Sequence, residues 1–155
     1  MEDKELFIQY HELKKNYKKS DREYNKSLDK LEECLYSVLP GGSDPSKEAL
    51  GGGTSNKPLA YTIKVDAISN EVQINRNLRD LDAYRLKKKL IELRNSKEIL
   101  DKIYVYHYID HVSVRKFCKL LNYSKSQIYR KIDEIEEKIK ENEKMGQNGT
   151  NLVIQ

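Results

Sequence analysis

Proline and glycine occupy only two stretches of this 155-residue chain. All three prolines (Pro40, Pro45, Pro58) and five of the seven glycines (Gly41, Gly42, Gly51, Gly52, Gly53) lie within PGGSDPSKEALGGGTSNKP; the other two, Gly146 and Gly149, stand near the C-terminus. Both residue types interrupt helices and strands, so their absence elsewhere leaves room for long regular elements. The pattern predicts a flexible linker over residues 40–58, long helices on either side, and a disordered tail over 145–155. Hydrophobic residues make up 37% of the chain and charged residues 35%, which is lean for a thick core and points to an elongated helical protein.

The segment before the linker has the most regular period. Leu6, Tyr10, Leu13, Tyr17, Ser20, Tyr24, Ser27, Leu31, Cys34 and Val38 follow one another at steps of four and three, the seam of a heptad repeat. A coiled-coil helix is expected over 1–39. Ser20 and Ser27 bury little, so this helix needs a partner: the same helix of a second chain, giving a homodimer through residues 6–38, or the helix after the linker folded back as a hairpin.

Residues 59–94 read as a helical connector whose apolar stripe drifts. Ile68 and Val72 share one face, Ile74, Leu78 and Leu81 another, and Leu86, Leu90 and Leu93 a third. Either one helix with changing neighbours or two helices kinked near Gln73–Asn75 has this look. Asn95, with Glu98 three residues on, is the expected cap of the next helix. Tyr104, Tyr106 and Tyr108 alternate as in a strand, but Ile99, Ile103 and Tyr106 at steps of four and three favour helix. Ser113 then caps a short helix burying Val114, Phe117, Cys118 and Leu121. Ser124, with Gln127 in the capping-box position, starts another that buries Ile128, Ile132, Ile135 and Ile139. The three-residue turn Asn122-Tyr123-Ser124 joins them, with Asn122 where a left-handed residue is needed. The expected fold is all-α, with a helix-turn-helix domain over 95–144.

YHYIDHVSVRKFCKLLNYSKSQIYRKIDEI resembles the helix-turn-helix of sigma-factor region 4, and more specifically the small phage transcriptional regulators of the ArpU and RinA type. The resemblance rests on the pair Tyr108-Ile109, the serine cap Ser113, the small residue Cys118, the paired leucines Leu120-Leu121, the turn Asn122-Tyr123-Ser124 and the pair Tyr129-Arg130. The chain departs from the pattern at Asn122 and His111, where glycine is usual. The resemblance implies DNA binding and activation of late phage genes.

The charge distribution points the same way. From Tyr84 to Lys131 the net charge is +9, against −5 for the rest of the chain, and a basic segment is what a phosphate backbone attracts. With Ile128 and Ile132 facing inward, Lys125, Ser126, Gln127, Tyr129 and Arg130 are the expected base readers; Gln127 and Arg130 carry the bidentate groups that suit adenine and guanine. Arg115, Lys116, Lys119, Ser124 and Lys131 are the expected phosphate contacts.

Other chemistry is thin. His107 and His111 are four apart with Cys118 nearby, but no further ligand at zinc spacing completes a site. Cys34 and Cys118 sit in apolar stripes and form neither a CxxC pair nor a disulfide framework. No nucleophile motif, phosphate loop or carboxylate pair is present, so neither an enzyme nor a bound cofactor is expected. No apolar run is long enough to span a bilayer, and the N-terminus lacks a secretory pattern, so the expected location is the cytoplasm. The leading expectation is a sequence-specific transcriptional regulator, phage- or prophage-encoded, whose partners are double-stranded DNA, a second copy and RNA polymerase. The alternative is a coiled-coil assembly or adaptor protein, such as a phage packaging subunit, that binds DNA without specificity.

Overall fold

The computed structural model describes residues 4–37 and 57–153, and for residues 57, 58 and 148–153 it describes the backbone alone. Every regular element among them is helical: α1 (Leu6–Tyr36), α2 (Lys57–Arg94), α3 (Ile99–Tyr104), a π-helical turn (Val105–Ile109), α4 (Val114–Leu121) and α5 (Lys125–Val153). The chain divides into two compact units, one of Met1–Lys15 with Arg85–Gln155 and one of Asn16–Tyr84.

In the second unit α1 and α2 run antiparallel. Asp21 pairs with Arg79 at 3.9 Å, the Glu23 carbonyl accepts from Asn75 at 3.4 Å, and Lys30 donates to Glu71 at 3.3 Å, so partners in α2 descend in number as those in α1 rise. The weak seam positions acquire specific roles. The single Ser20 hydroxyl proton is shared between two acceptors in reach, the Asn16 carbonyl and the Asp82 carboxylate. Buried Ser27 donates to the Tyr24 carbonyl at 2.7 Å, which satisfies its hydroxyl within its own helix. Tyr24 lies under the Arg79 guanidinium, 4.2 Å from ring centroid to carbon, and buried Cys34 continues the same face. The seam expected to join two chains is therefore covered by α2 of the same chain. The hairpin alternative is the arrangement adopted.

In the first unit the core gathers Phe7 and Tyr10 of α1, Leu93 at the end of α2, Ile103 and Tyr104 of α3, Val105, Phe117 of α4, and Ile128, Ile132 and Ile135 of α5. Residues 95–144 thus do not hold a core by themselves, as the expected domain boundaries require; they share it with the first turns of α1 and the last turns of α2. Phe7, which the heptad count leaves off the seam, is fully buried.

The drifting stripe of the connector belongs to one uninterrupted helix, with no break at Gln73–Asn75. The shift to Leu86, Leu90 and Leu93 follows the boundary between the units, since residues up to Tyr84 belong to one and those from Arg85 to the other, whereas Ile74, Leu78 and Leu81 are exposed. Lys57 and Pro58, assigned to the linker, are the first two residues of α2, where a proline removes no hydrogen bond. Residues 40–56 of the expected linker lie outside the described residues. At the other end α5 continues through Gly146 to Val153, past the residue 144 at which the glycines end it in the sequence reading.

The cap of α3 also differs from expectation. The N-cap position is Glu98, not Asn95, and no side chain caps the helix; just before it the Ser96 hydroxyl accepts from the Glu98 N–H at 3.2 Å and donates to the Asp101 carboxylate at 2.5 Å. After Tyr104 the helix widens into the π turn, with the Asp110 N–H returning to the Val105 carbonyl at 2.9 Å. That turn resolves the alternating tyrosines: Tyr108 stacks on Tyr104 at 5.0 Å while Tyr106 stacks on Phe117 at 6.0 Å.

Candidate nucleic-acid interface

The site is built on α4, α5 and the turn between them. α4 starts after Ser113, whose backbone is extended and whose carbonyl accepts from the Lys116 and Phe117 amides; its hydroxyl makes no cap bond. The helix ends at Asn122, in the left-handed region at φ 60°, ψ 38°, and the Tyr123 N–H returns to the Cys118 carbonyl at 3.2 Å. α5 opens with a reciprocal capping box. The Ser124 N–H donates to the Gln127 side-chain oxygen at 3.0 Å, and the Gln127 N–H donates to the Ser124 hydroxyl at 3.3 Å.

This framework fixes which side chains face out. Phe117, Ile128 and Ile135 are fully buried and Ile132 nearly so, which holds the two helices together. On α4 the exposed face carries Arg115, Lys116 and Lys119, and on the first two turns of α5 it carries Lys125, Ser126, Gln127, Tyr129 and Arg130. Lys131 is half-buried and lies 6.0 Å from the centroid of the Tyr123 ring. From Ser113 to Lys131 the sequence has six basic residues and no carboxylate; carboxylates return only at Asp133 and Glu134. A shallow cleft lined by Tyr123, Gln127, Arg130, Lys131 and Glu134 lies at the point where the charge changes sign.

The expected base readers and phosphate contacts are therefore all on α4, the turn or the start of α5, and all but Lys131 are exposed. Two of them have another employment. Gln127 and Ser124 satisfy each other in the cap, which engages the Gln127 side-chain oxygen. Bidentate reading of adenine through the amide NH2 and oxygen together asks that oxygen to accept a second bond through its other lone pair while it is held in the cap. Leu120, 64% exposed beside Lys119, is a surface feature to which the sequence reading gave no role. Its signal was present: a leucine one step outside the stripe of Phe117, Cys118 and Leu121.

The surroundings of the site are held by ionic and aromatic contacts. Arg94 donates twice to Asp110, at 2.8 and 3.2 Å, and this pairing holds the Asp110 carboxyl below its ordinary range. The Tyr108 hydroxyl donates to Glu136 at 3.2 Å; burial, followed by the Glu136 carboxylate, lifts its pKa to about 12. His11 lies between the Tyr104 hydroxyl at 3.4 Å and Glu143 at 3.6 Å, with its pKa lowered by burial first and by Lys15 second. Of the histidines considered for zinc, His107 packs edge-on against Tyr108 and Phe117, and His111 is an exposed loop residue with φ 52°. Among the described residues no group of three or more histidine, cysteine or acidic side chains is placed to hold a metal ion. No described helix is long and apolar enough to cross a membrane.

No family model, curated protein or solved structure matches this chain.

Proposed function

We propose that this protein binds double-stranded DNA through α4 and α5 and regulates transcription by recognising specific sequences. The observation that carries the reading is the basic stretch from Ser113 to Lys131, mostly exposed and without a carboxylate of its own, set on two helices whose apolar faces are buried against each other. Six cations in a stretch that holds no carboxylate favour a polyanion, and the short turn brings the start of α5 forward as the element that enters a groove. Arg130 and Tyr129 are the base readers; Arg115, Lys116 and Lys119 position the backbone. The acidic turns of α5 beyond Asp133 are repelled by phosphate, which favours entry by the N-terminal end. The resemblance to region 4 and to the ArpU and RinA regulators supports a phage late-gene activator that also touches RNA polymerase, acting in the cytoplasm.

A second reading, a helical assembly or adaptor protein that binds DNA without specificity, draws support from the exposed apolar residues of α2. Selection of binding sites from random duplexes by the purified protein separates the two. Recovery of a common sequence, bound roughly a thousandfold or more tighter than random duplex, supports the regulator. Equal affinity for all duplexes with steep salt dependence supports the adaptor.

A further inference from the structure

α2 carries two apolar faces. At about 100° of rotation per residue, the half-buried Val65, Ile68, Val72 and Ala83 gather on one side, whereas Ile63, Ala67, Ile74, Leu78 and Leu81 lie within about 40° of Ile74 on another, roughly a quarter turn from Asn75, Arg79 and Asp82, which reach α1. The second face is bare: Ile63 is 60% exposed, Ile74 59%, Leu78 51% and Leu81 45%. It extends along about 27 Å of helix. Asn70 is the single polar residue within that arc, and no charge falls in it.

We infer that this face is the dimer interface of the protein, with α2 of a second copy packed antiparallel across it. The unit Asn16–Tyr84 is a two-helix hairpin, and a hairpin apolar on an outer face lacks the second layer that buries such a face; a two-fold related hairpin supplies it and completes a four-helix interior. Charge sets the direction. Beyond Leu81 the helix turns basic, with Arg85, Lys87, Lys88 and Lys89, while its beginning, Leu59–Ile63, is uncharged. Parallel pairing sets the two basic runs side by side, whereas antiparallel pairing sets each against the neutral end of its partner. Centred on Ile74, the antiparallel register is self-complementary as a two-fold contact must be: Ile74 meets Ile74 of the second copy, small Ala67 meets Leu81, and Leu78 meets Asn70 at the edge of the arc.

The experiment is sedimentation of the full chain without DNA, so its outcome is independent of the DNA-binding reading. The expected mass is twice the 18.2 kDa of the chain, falling to a single chain in the Ile74→Glu/Leu78→Glu variant. Both side chains are exposed in the single chain, so helix content by circular dichroism stays unchanged. Register is read by oxidative cross-linking in a Cys34→Ser/Cys118→Ser parent. Ile74→Cys couples to itself, Ala67→Cys alone does not, and Ala67→Cys mixed with Leu81→Cys does. A wild type of single-chain mass at micromolar concentration, or a dimer that survives Ile74→Glu/Leu78→Glu, overturns the assignment. Self-coupling of Ala67→Cys overturns the antiparallel register.

Discussion

The backbone N–H of Phe7 donates to the Asp101 carboxylate at 3.2 Å, across 94 positions of sequence. Phe7 is in the first turn of α1, whose amides have no partner within the helix, and Asp101 provides one together with a negative charge at the positive end of the helix dipole. The Phe7 ring itself is fully buried and lies 5.8 Å from Tyr104. The start of the chain is thus part of the core on which α4 and α5 rest. Phe7→Ala is expected to destabilise the protein by about 3–5 kcal/mol, and removal of residues 1–15 to abolish cooperative unfolding. Thermal denaturation followed by circular dichroism reads both; a truncated chain that melts as the intact one does would remove α1 from the core.

Asp101 also makes stability depend on pH. Burial, the largest influence, lifts its pKa above the ordinary 3.8, outweighing the Ser96 and Phe7 hydrogen bonds that lower it. The folded state therefore holds the proton more tightly than the unfolded chain. Stability from this group is complete below pH 3.8 and declines as pH rises through the folded-state value. Asp101→Asn retains an acceptor for Phe7 but has no proton to lose. Relative to wild type, the variant should gain stability as pH rises from 3.8, by no more than about 1.4 kcal/mol per pH unit. Denaturant titrations of both proteins between acid and neutral pH give the difference directly, and a constant difference would contradict this account.

Among the described residues, His111 and Asn122 are the two non-glycine residues with positive φ, at 52° and 60°. They are also the two positions at which the sequence departs from the glycines expected of a region 4-like pattern. Asparagine tolerates this conformation better than histidine. His111→Gly is expected to stabilise the fold by roughly 0.5–1 kcal/mol, as relief of strain outweighs the added freedom of the unfolded chain. Asn122→Ala should cost about 1 kcal/mol, because alanine lacks the polar side chain that eases the left-handed turn. Shifts in urea midpoint at unchanged slope test both signs.

What could be read from sequence were the local devices. Ser124 with Gln127 announces a capping box and Asn122 announces a left-handed turn, because each acts on backbone three or four residues away. The heptads of α1 were legible too, but not their partner: a seam specifies an apolar face and leaves open what covers it. Phe7 was missed because it stands one step off the seam and is buried by residues near 93 and 104. The two faces of α2 looked like drift, since one hydrophobic period read along a helix with different neighbours has no single phase. Among the candidate contacts, exposure followed directly from the buried isoleucine stripe. The double use of Gln127 did not, because cap and base reading call on the same side-chain atoms.

Arg130 and Lys119 differ in what they are expected to read. Arg130 is exposed on the second turn of α5, where in the proposed complex a guanidinium would reach base edges, and Lys119 is exposed on α4, where an ammonium would meet phosphate. Arg130→Ala should weaken binding to the selected sequence by about 1–3 kcal/mol and relax preference at one base pair. Lys119→Ala should weaken all duplexes alike and reduce the slope of log affinity against log salt by about 1. Equal losses on selected and random duplexes for both variants would remove Arg130 from base reading.

Gln127 allows capping and recognition to be separated. Its side-chain oxygen accepts from the Ser124 N–H, a role that glutamate fills equally well at this position and with a charge suited to a helix N-terminus. Gln127→Glu is therefore expected to preserve the fold or stabilise it by a few tenths of a kcal/mol. The same substitution puts a carboxylate into the stretch from Ser113 to Lys131, which has none, on the exposed first turn of α5. If that turn enters a DNA groove, the variant binds every duplex more weakly while melting no lower than wild type. Gln127→Ala should do the reverse for stability, losing about 1 kcal/mol with the cap. Melting temperature and duplex affinity measured on the same two preparations decide it: affinity untouched by Gln127→Glu would show that the start of α5 does not face DNA.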